Sequence, residues 1–228
     1  MPFLIPLLIA LGFILLTIGI IALVRAFAFG KKSNSTSLNV ETKAVDLDAM
    51  KMAEHLAEVV RCKTVSSLDK DTVDLGELEK LHQVLENNFP LIHKKLEKTI
   101  LNGHNLIYKW EGANPDLDPL LFMAHQDVVP VDPATADEWE QPGFSGKIVD
   151  GRIWGRGSQD CKNVLVSAME AVESLLSIDF QPERSIYLAF GQDEEIGGVT
   201  GQKVMSAHFK EQGIHFAAVL DEGGAIME

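Results

Sequence analysis

The residues richest in chemistry stand in four short segments: His125 with Asp127, Asp160, the pair Glu194 and Glu195, and Asp221. Imidazole nitrogen and carboxylate oxygen are the donors that hydrolytic zinc takes, and paired ions in such sites sit about 3.5–4 Å apart. In His125-Gln126-Asp127 the ring offers one nitrogen to a cation, while the carboxylate two residues on orients it and raises its basicity. Asp160 has two oxygens and suits a bridging place. Of Glu194 and Glu195, one serves as ligand and the other as general base toward a water, and chemistry alone does not choose between them. Asp221 closes a strongly apolar run, a costly place for a carboxylate without a cation or hydrogen bonds. The glycines that follow it, Gly223 and Gly224, let the backbone pass close to a site. Each segment has a bland reading too: an Asp before a helix is usually an N-cap, and a Glu-Glu pair is usually solvated surface. Four segments aimed at one place favour a metallohydrolase.

The elements around these residues supply that aim. PLLFMA precedes His125, SIYLAFGQD precedes Glu194 and FAAVL precedes Asp221, so three clusters lie just past the carboxyl ends of buried strands. Open α/β sheets place their ligands there. Asp160 belongs to GRGSQDCK, a glycine-bearing loop leading into a helix. Extended runs are predicted over 105–110, 119–124, 147–154 with a turn at Asp150-Gly151, 184–191 and 216–220. Helical spacing appears in Leu47, Met50, Ala53, Leu56 and Val60 behind an Asp46 cap, in Leu75, Leu78, Leu81, Leu85 and Phe89, and over Asn163 to Leu176. This alternation predicts an α/β fold, a three-layer sandwich with a mixed, largely parallel sheet. His55, His82 and His93 lack acidic partners at ligand spacing and read as surface or core-edge histidines.

Composition bounds the class. The chain has 228 residues, 46% of them hydrophobic, with a formal net charge of -13 and a pI near 4.9. That charge argues against a nucleic-acid surface, which needs a basic stripe. Cys62 and Cys161 lie far apart without CxxC spacing, so they read as reduced thiols. Residues 2–24 carry no charged side chain, and residues 1–30 read as a transmembrane anchor, followed by a polar linker at 31–45 and a catalytic domain from 46 to 228. A signal peptide is the competitor, given Ala26-Phe27-Ala28, but the apolar core is long and no basic residue precedes it. The protein is therefore expected to be single-pass membrane bound. Arg25, Lys31 and Lys32 place the domain on the cytoplasmic side by the positive-inside rule, a bias that a large domain can override. Asn34-Ser35-Thr36 matches a glycosylation sequon.

Taken together, AHQDVVPVD, the FSG…DG…WGRGS-x-D-x-K stretch, FGQDEEIGG and LDEGG resemble the signature blocks of the dizinc amidohydrolases that include aminoacylase-1, glutamate carboxypeptidases and carboxypeptidase S. The flanking FQPERSIYLAFG and the N-terminal anchor are most similar to the carboxypeptidase S branch and its relatives that hydrolyse N-acyl amino acids. The resemblance spans Leu47 to Glu228. It implies two zinc ions, with His125 and Asp221 on one, Glu195 on the other and Asp160 bridging. It further implies Glu194 as general base, Asp127 orienting His125, and small peptides or N-acyl amino acids as substrates. Gln192 departs from the histidine common before DEE. Relatives also carry a late zinc-binding histidine and a lid domain that supplies dimer contacts and reads the substrate carboxylate. Neither is present by Glu228, so the chain is expected to be the N-terminal part of such an enzyme, poorly active alone and a homodimer only through the missing lid. The second reading is a membrane-tethered, non-catalytic relative that binds a metal or a partner.

Overall fold

The computed structural model describes residues 4–32 and 47–222. The linker, the sequon at Asn34, the Asp46 cap and the glycine pair at 223–224 lie outside them. The chain divides into two compact units, 1–44 and 45–228. The first holds helix α1, Leu4–Lys32, whose stretch Ile9–Phe27 has a mean hydropathy of 2.5 and no buried residue. By length and composition it meets the demand of a membrane span or of a signal sequence.

The second unit opens with α2, Ala49–Val60. Its cap is Asp48, whose carboxylate accepts the N–H groups of Met50 and Lys51, both at 3.1 Å; that satisfies donors the first helical turn leaves free. Helices α3 (Leu75–Asn88) and α4 (Pro90–Lys95) follow. Strands β1 (Glu97–Leu101), β2 (Asn105–Trp110) and β3 (Leu120–His125) come next, then the hairpin of β4 (Lys147–Val149) and β5 (Arg152–Trp154). That hairpin turns at Asp150 and Gly151, at φ 51° and 73°, the left-handed pair that a two-residue turn needs. The chain closes with α5 (Lys162–Ser177), β6 (Ile186–Gly191), α6 (Gln202–Glu211) and β7 (Ala218–Leu220).

The main sheet has the order β1-β2-β6-β3-β7. It is mixed as expected but evenly so: β3 pairs in parallel with β6 and β7, while β1–β2 and β2–β6 are antiparallel. The excess comes from β1, whose EKTIL has no buried position and gives no strand signal in the sequence. It folds back on β2 through Asn102 and Gly103, both at positive φ.

Alternation along β6 builds the layers. Leu188 and Phe190 enter a core with Leu81, Leu85, Leu165 and Met169 from α3 and α5, while Tyr187 and Ala189 face Met205 and Phe209 of α6. Helices thus cover both faces of the sheet. Truncating a fully buried ring such as Phe190 to alanine costs about 3–5 kcal/mol, so the register that points it inward is strongly held.

Candidate metal centre

Parallel pairing sets the site. Leu120 lies opposite Ile186 and His125 opposite Gly191, so β3 and β6 end together and the segments after them leave from one edge. β7 pairs with β3 in the same sense, which brings Asp221 and Glu222 to that edge. Gln126 locks the end of β3: its amide nitrogen donates to the carbonyls of Phe190 and His104, both at 2.8 Å, and its oxygen faces His82 Nε2 at 2.8 Å.

Asp127, 1% exposed, accepts the backbone N–H groups of Glu194 and Glu195, one on each oxygen, at 3.0 and 3.2 Å. The turn closes behind them because Asp193 accepts both the N–H and the hydroxyl of Thr200, at 2.7 and 2.8 Å, and Gly197 takes φ 97°. Asp160 lies in the loop just before α5. There Lys162 is fully buried and donates to the carbonyls of Val59 and Cys62 at 3.1 and 2.6 Å. Its amine occupies the end of α2, where carbonyls lack helical partners, and so ties the Asp160 loop to that helix.

His125 is the centre of the constellation. Its Nδ1 donates to the Asp127 carbonyl at 2.8 Å and lies 3.4 Å from that residue's carboxylate. Its Nε2 faces the carboxylates of Asp160 at 3.1 Å, Glu222 at 3.3 Å and Glu194 at 3.9 Å. The thiol of Cys161 accepts the His125 backbone N–H at 3.1 Å. Donor atoms of His125, Asp160, Cys161 and Glu222 all lie within 4.8 Å of one another.

Burial opposes a charge on the His125 ring, yet the Asp127 carboxylate and Cys161 beside it outweigh that and push its pKa up to about 12. A divalent cation competes with that proton for Nε2. Glu194 and Glu195 are both raised above the usual carboxylate range, first by burial, then by neighbouring charge: Glu222 with Asp127 for the former, Asp160 for the latter. Carboxylates so crowded hold protons more readily, as a general base requires, and gain from any cation placed among them. One imidazole nitrogen with several carboxylate oxygens is a donor set that fits zinc.

The structure brings His125, Asp127, Asp160 and Glu194 together. Glu195 contributes its backbone to Asp127, and its side chain makes no ion pair with His125 among the described residues. Asp221 turns aside: its carboxylate accepts the N–H of Glu222 at 2.9 Å, and Glu222 occupies the place beside the ring. Sequence reasoning missed Glu222 and Cys161. The signal for Glu222 was the second acid of LDEGG, adjacent to the residue chosen; Cys161 gave none beyond its adjacency to Asp160. His55 and His93 are structural. His55 pairs with the buried Glu170 at 2.6 Å, an acidic partner too distant in sequence for local spacing to show, and His93 meets the Tyr108 hydroxyl at 2.9 Å.

Residues 121–227 match the model of peptidase family M20/M25/M40. Carboxypeptidase S of Saccharomyces cerevisiae is 42% identical over 186 residues, 77% of this chain and 32% of that protein. The human N-fatty-acyl-amino acid synthase/hydrolase PM20D1 is 37% identical over 183 residues, 79% of this chain and 35% of that protein. The chain thus spans about a third of the length of these relatives. Among solved structures, the M20 family metallo-carboxypeptidase Sso-CP2 from Sulfolobus solfataricus superposes with a TM-score of 0.60 at 24% identity, over 78% of this chain and 38% of that one.

Proposed function

Because the chain belongs to peptidase family M20/M25/M40, we propose that it carries the zinc-binding, catalytic part of a hydrolase that cleaves an amide bond in small peptides or N-acyl amino acids. The observation that carries this reading is the convergence on His125 Nε2 of carboxylates from three other segments, Asp160, Glu194 and Glu222, with Asp127 behind the ring. His125, Asp160, Glu195 and Glu222, the last in the place first expected of Asp221, would hold the two zinc ions. Bound there, zinc supplies an acidified water and polarises the substrate carbonyl. Asp127 keeps the His125 ring turned and, through two backbone N–H groups, fixes the turn that presents Glu194. Glu194, raised in pKa, takes the proton of the attacking water and returns it to the leaving amine. Helix α1 anchors the protein in a membrane as a single span.

The test is hydrolysis of N-acetyl amino acids and dipeptides before and after chelation. Activity lost with the chelator and restored by zinc, but not restored in His125→Ala, supports the reading. Activity indifferent to chelation overturns it.

A further inference from the structure

Asp160 has little of its own to hold it in the metal centre. Its side chain is 70% exposed, and among the described residues its one hydrogen bond is the contact with His125 Nε2 at 3.1 Å. A metal site binds tightly only when its ligands are held in place beforehand, so the position of this carboxylate must come from the residues beside it. Lys162 stands two places on, the first residue of α5, with no exposed surface. A cation in the first turn opposes the helix dipole, and its burial is costly; a methionine of similar length would fill the same space without either penalty. The amine therefore does something that packing does not. It donates to the carbonyls of Val59 and Cys62 at 3.1 and 2.6 Å, across the end of α2. The stem reaches them only past Gly157. A Cβ there would lie 3.0 Å from Lys162 Cδ and 2.6 Å from Val128 Cγ1, and the φ of 83° suits glycine. The Gly157 carbonyl in turn accepts the Lys162 N–H at 3.0 Å, which closes 157–162 into a loop with exposed Gln159 and Asp160 on its outer side.

We propose that Lys162 is a positioning residue for the metal centre: its amine, braced on the end of α2, fixes the loop 157–162 and so delivers the Asp160 carboxylate to His125. The proposal deepens the hydrolase reading and rests on it for Asp160 as a zinc ligand. Lys162 itself spends its donors on backbone carbonyls, so it acts on the metal through Asp160 alone. That dependence separates a positioning role from a general one in the fold.

A double-mutant cycle on the full chain in lipid nanodiscs, read by zinc competition titration, tests this. Lys162→Met keeps the stem and loses the donors. It should raise the zinc dissociation constant by about 10–100-fold, as Asp160→Asn should, while the double variant should bind zinc no more weakly than Asp160→Asn alone. A purely structural lysine would lower the melting temperature and leave the zinc constant of the folded protein where it was. Gly157→Ala retains the amine but crowds its stem, and takes the place of Lys162→Met in the cycle if that variant does not fold. Additive losses, or an unchanged zinc constant in the folded variant, overturn the role of Lys162. Zinc bound by Asp160→Asn as tightly as by the wild type would instead strike Asp160 from the ligands of the hydrolase reading, and the positioning role with it.

Discussion

The Asp127 carboxylate accepts the backbone N–H of Glu194 at 3.0 Å, so the residue that orients the ligand ring also positions the candidate base. Its second oxygen takes the N–H of Glu195 at 3.2 Å, so both oxygens are engaged. Asp127→Asn turns one of these acceptors into a donor facing an N–H and removes the charge that favours the His125 imidazolium. Losing a supporting group of this kind typically costs 10–100-fold in metal affinity. We expect a zinc dissociation constant raised by about that factor in a competition titration, with the His125 pKa lowered in NMR spectra of the metal-free protein. An unchanged zinc constant would show that Asp127 only supports the turn.

Glu194 and Glu195 are predicted to separate by readout. Glu194→Gln should lower kcat by about 10²–10⁴ with zinc stoichiometry unchanged, because a proton acceptor is lost while the ligands stay. Glu195→Gln should lower zinc occupancy. Metal analysis of both variants beside their turnover decides the assignment, and loss of zinc from Glu194→Gln with retention in Glu195→Gln would reverse the two roles.

Asp221 and Glu222 compete for one role, and the geometry favours the second. Glu222 lies 3.3 Å from His125 Nε2, while Asp221 spends its carboxylate on the Glu222 backbone. Glu222→Gln should therefore weaken zinc binding more than Asp221→Asn, which should disturb only the turn after β7. Zinc competition titrations on the two variants provide the measurement; the opposite order would restore the ligand role to Asp221.

That substitution of neighbours shows where the sequence stops being informative. Apolar runs before His125, Glu194 and Asp221 were enough to place strand ends: β6 is buried along nearly its whole length and reads as continuous hydrophobicity, whereas Ala218–Leu220 of β7 is exposed throughout, so its run marked a strand but not the burial expected of it. Choosing between adjacent acids needs the direction of each side chain, which alternates with every residue and shifts again once the strand has ended. The same limit hid β1: an edge strand with charged and half-exposed positions has no burial pattern to betray it, so the sheet read as more parallel than it is. The long-range contacts were invisible for another reason. Nothing local in the sequence pairs Asp127 with the 194–195 backbone or Lys162 with the carbonyls of α2; these partners exist only because β3 and β6 lie side by side and α5 packs on α2.

Acid should loosen the fold through His82. Gln126 spends its amide nitrogen on two carbonyls, so its oxygen must accept and His82 must donate from Nε2, at 2.8 Å. Burial, reinforced by His104 and Lys98, outweighs the hydrogen bond to Gln126 and holds the His82 pKa below its ordinary 6.5. The unfolded chain then takes up a proton at a pH where the folded protein still refuses it. Stability contributed by the neutral ring is fully present above 6.5 and declines as pH falls below that value. His82→Gln keeps a donor toward Gln126 and removes the titration. We expect the fall in unfolding free energy between about pH 6.5 and 5, measured by urea denaturation, to be shallower in this variant than in the wild type. Equal slopes would mean that the half-buried ring accepts its proton without penalty.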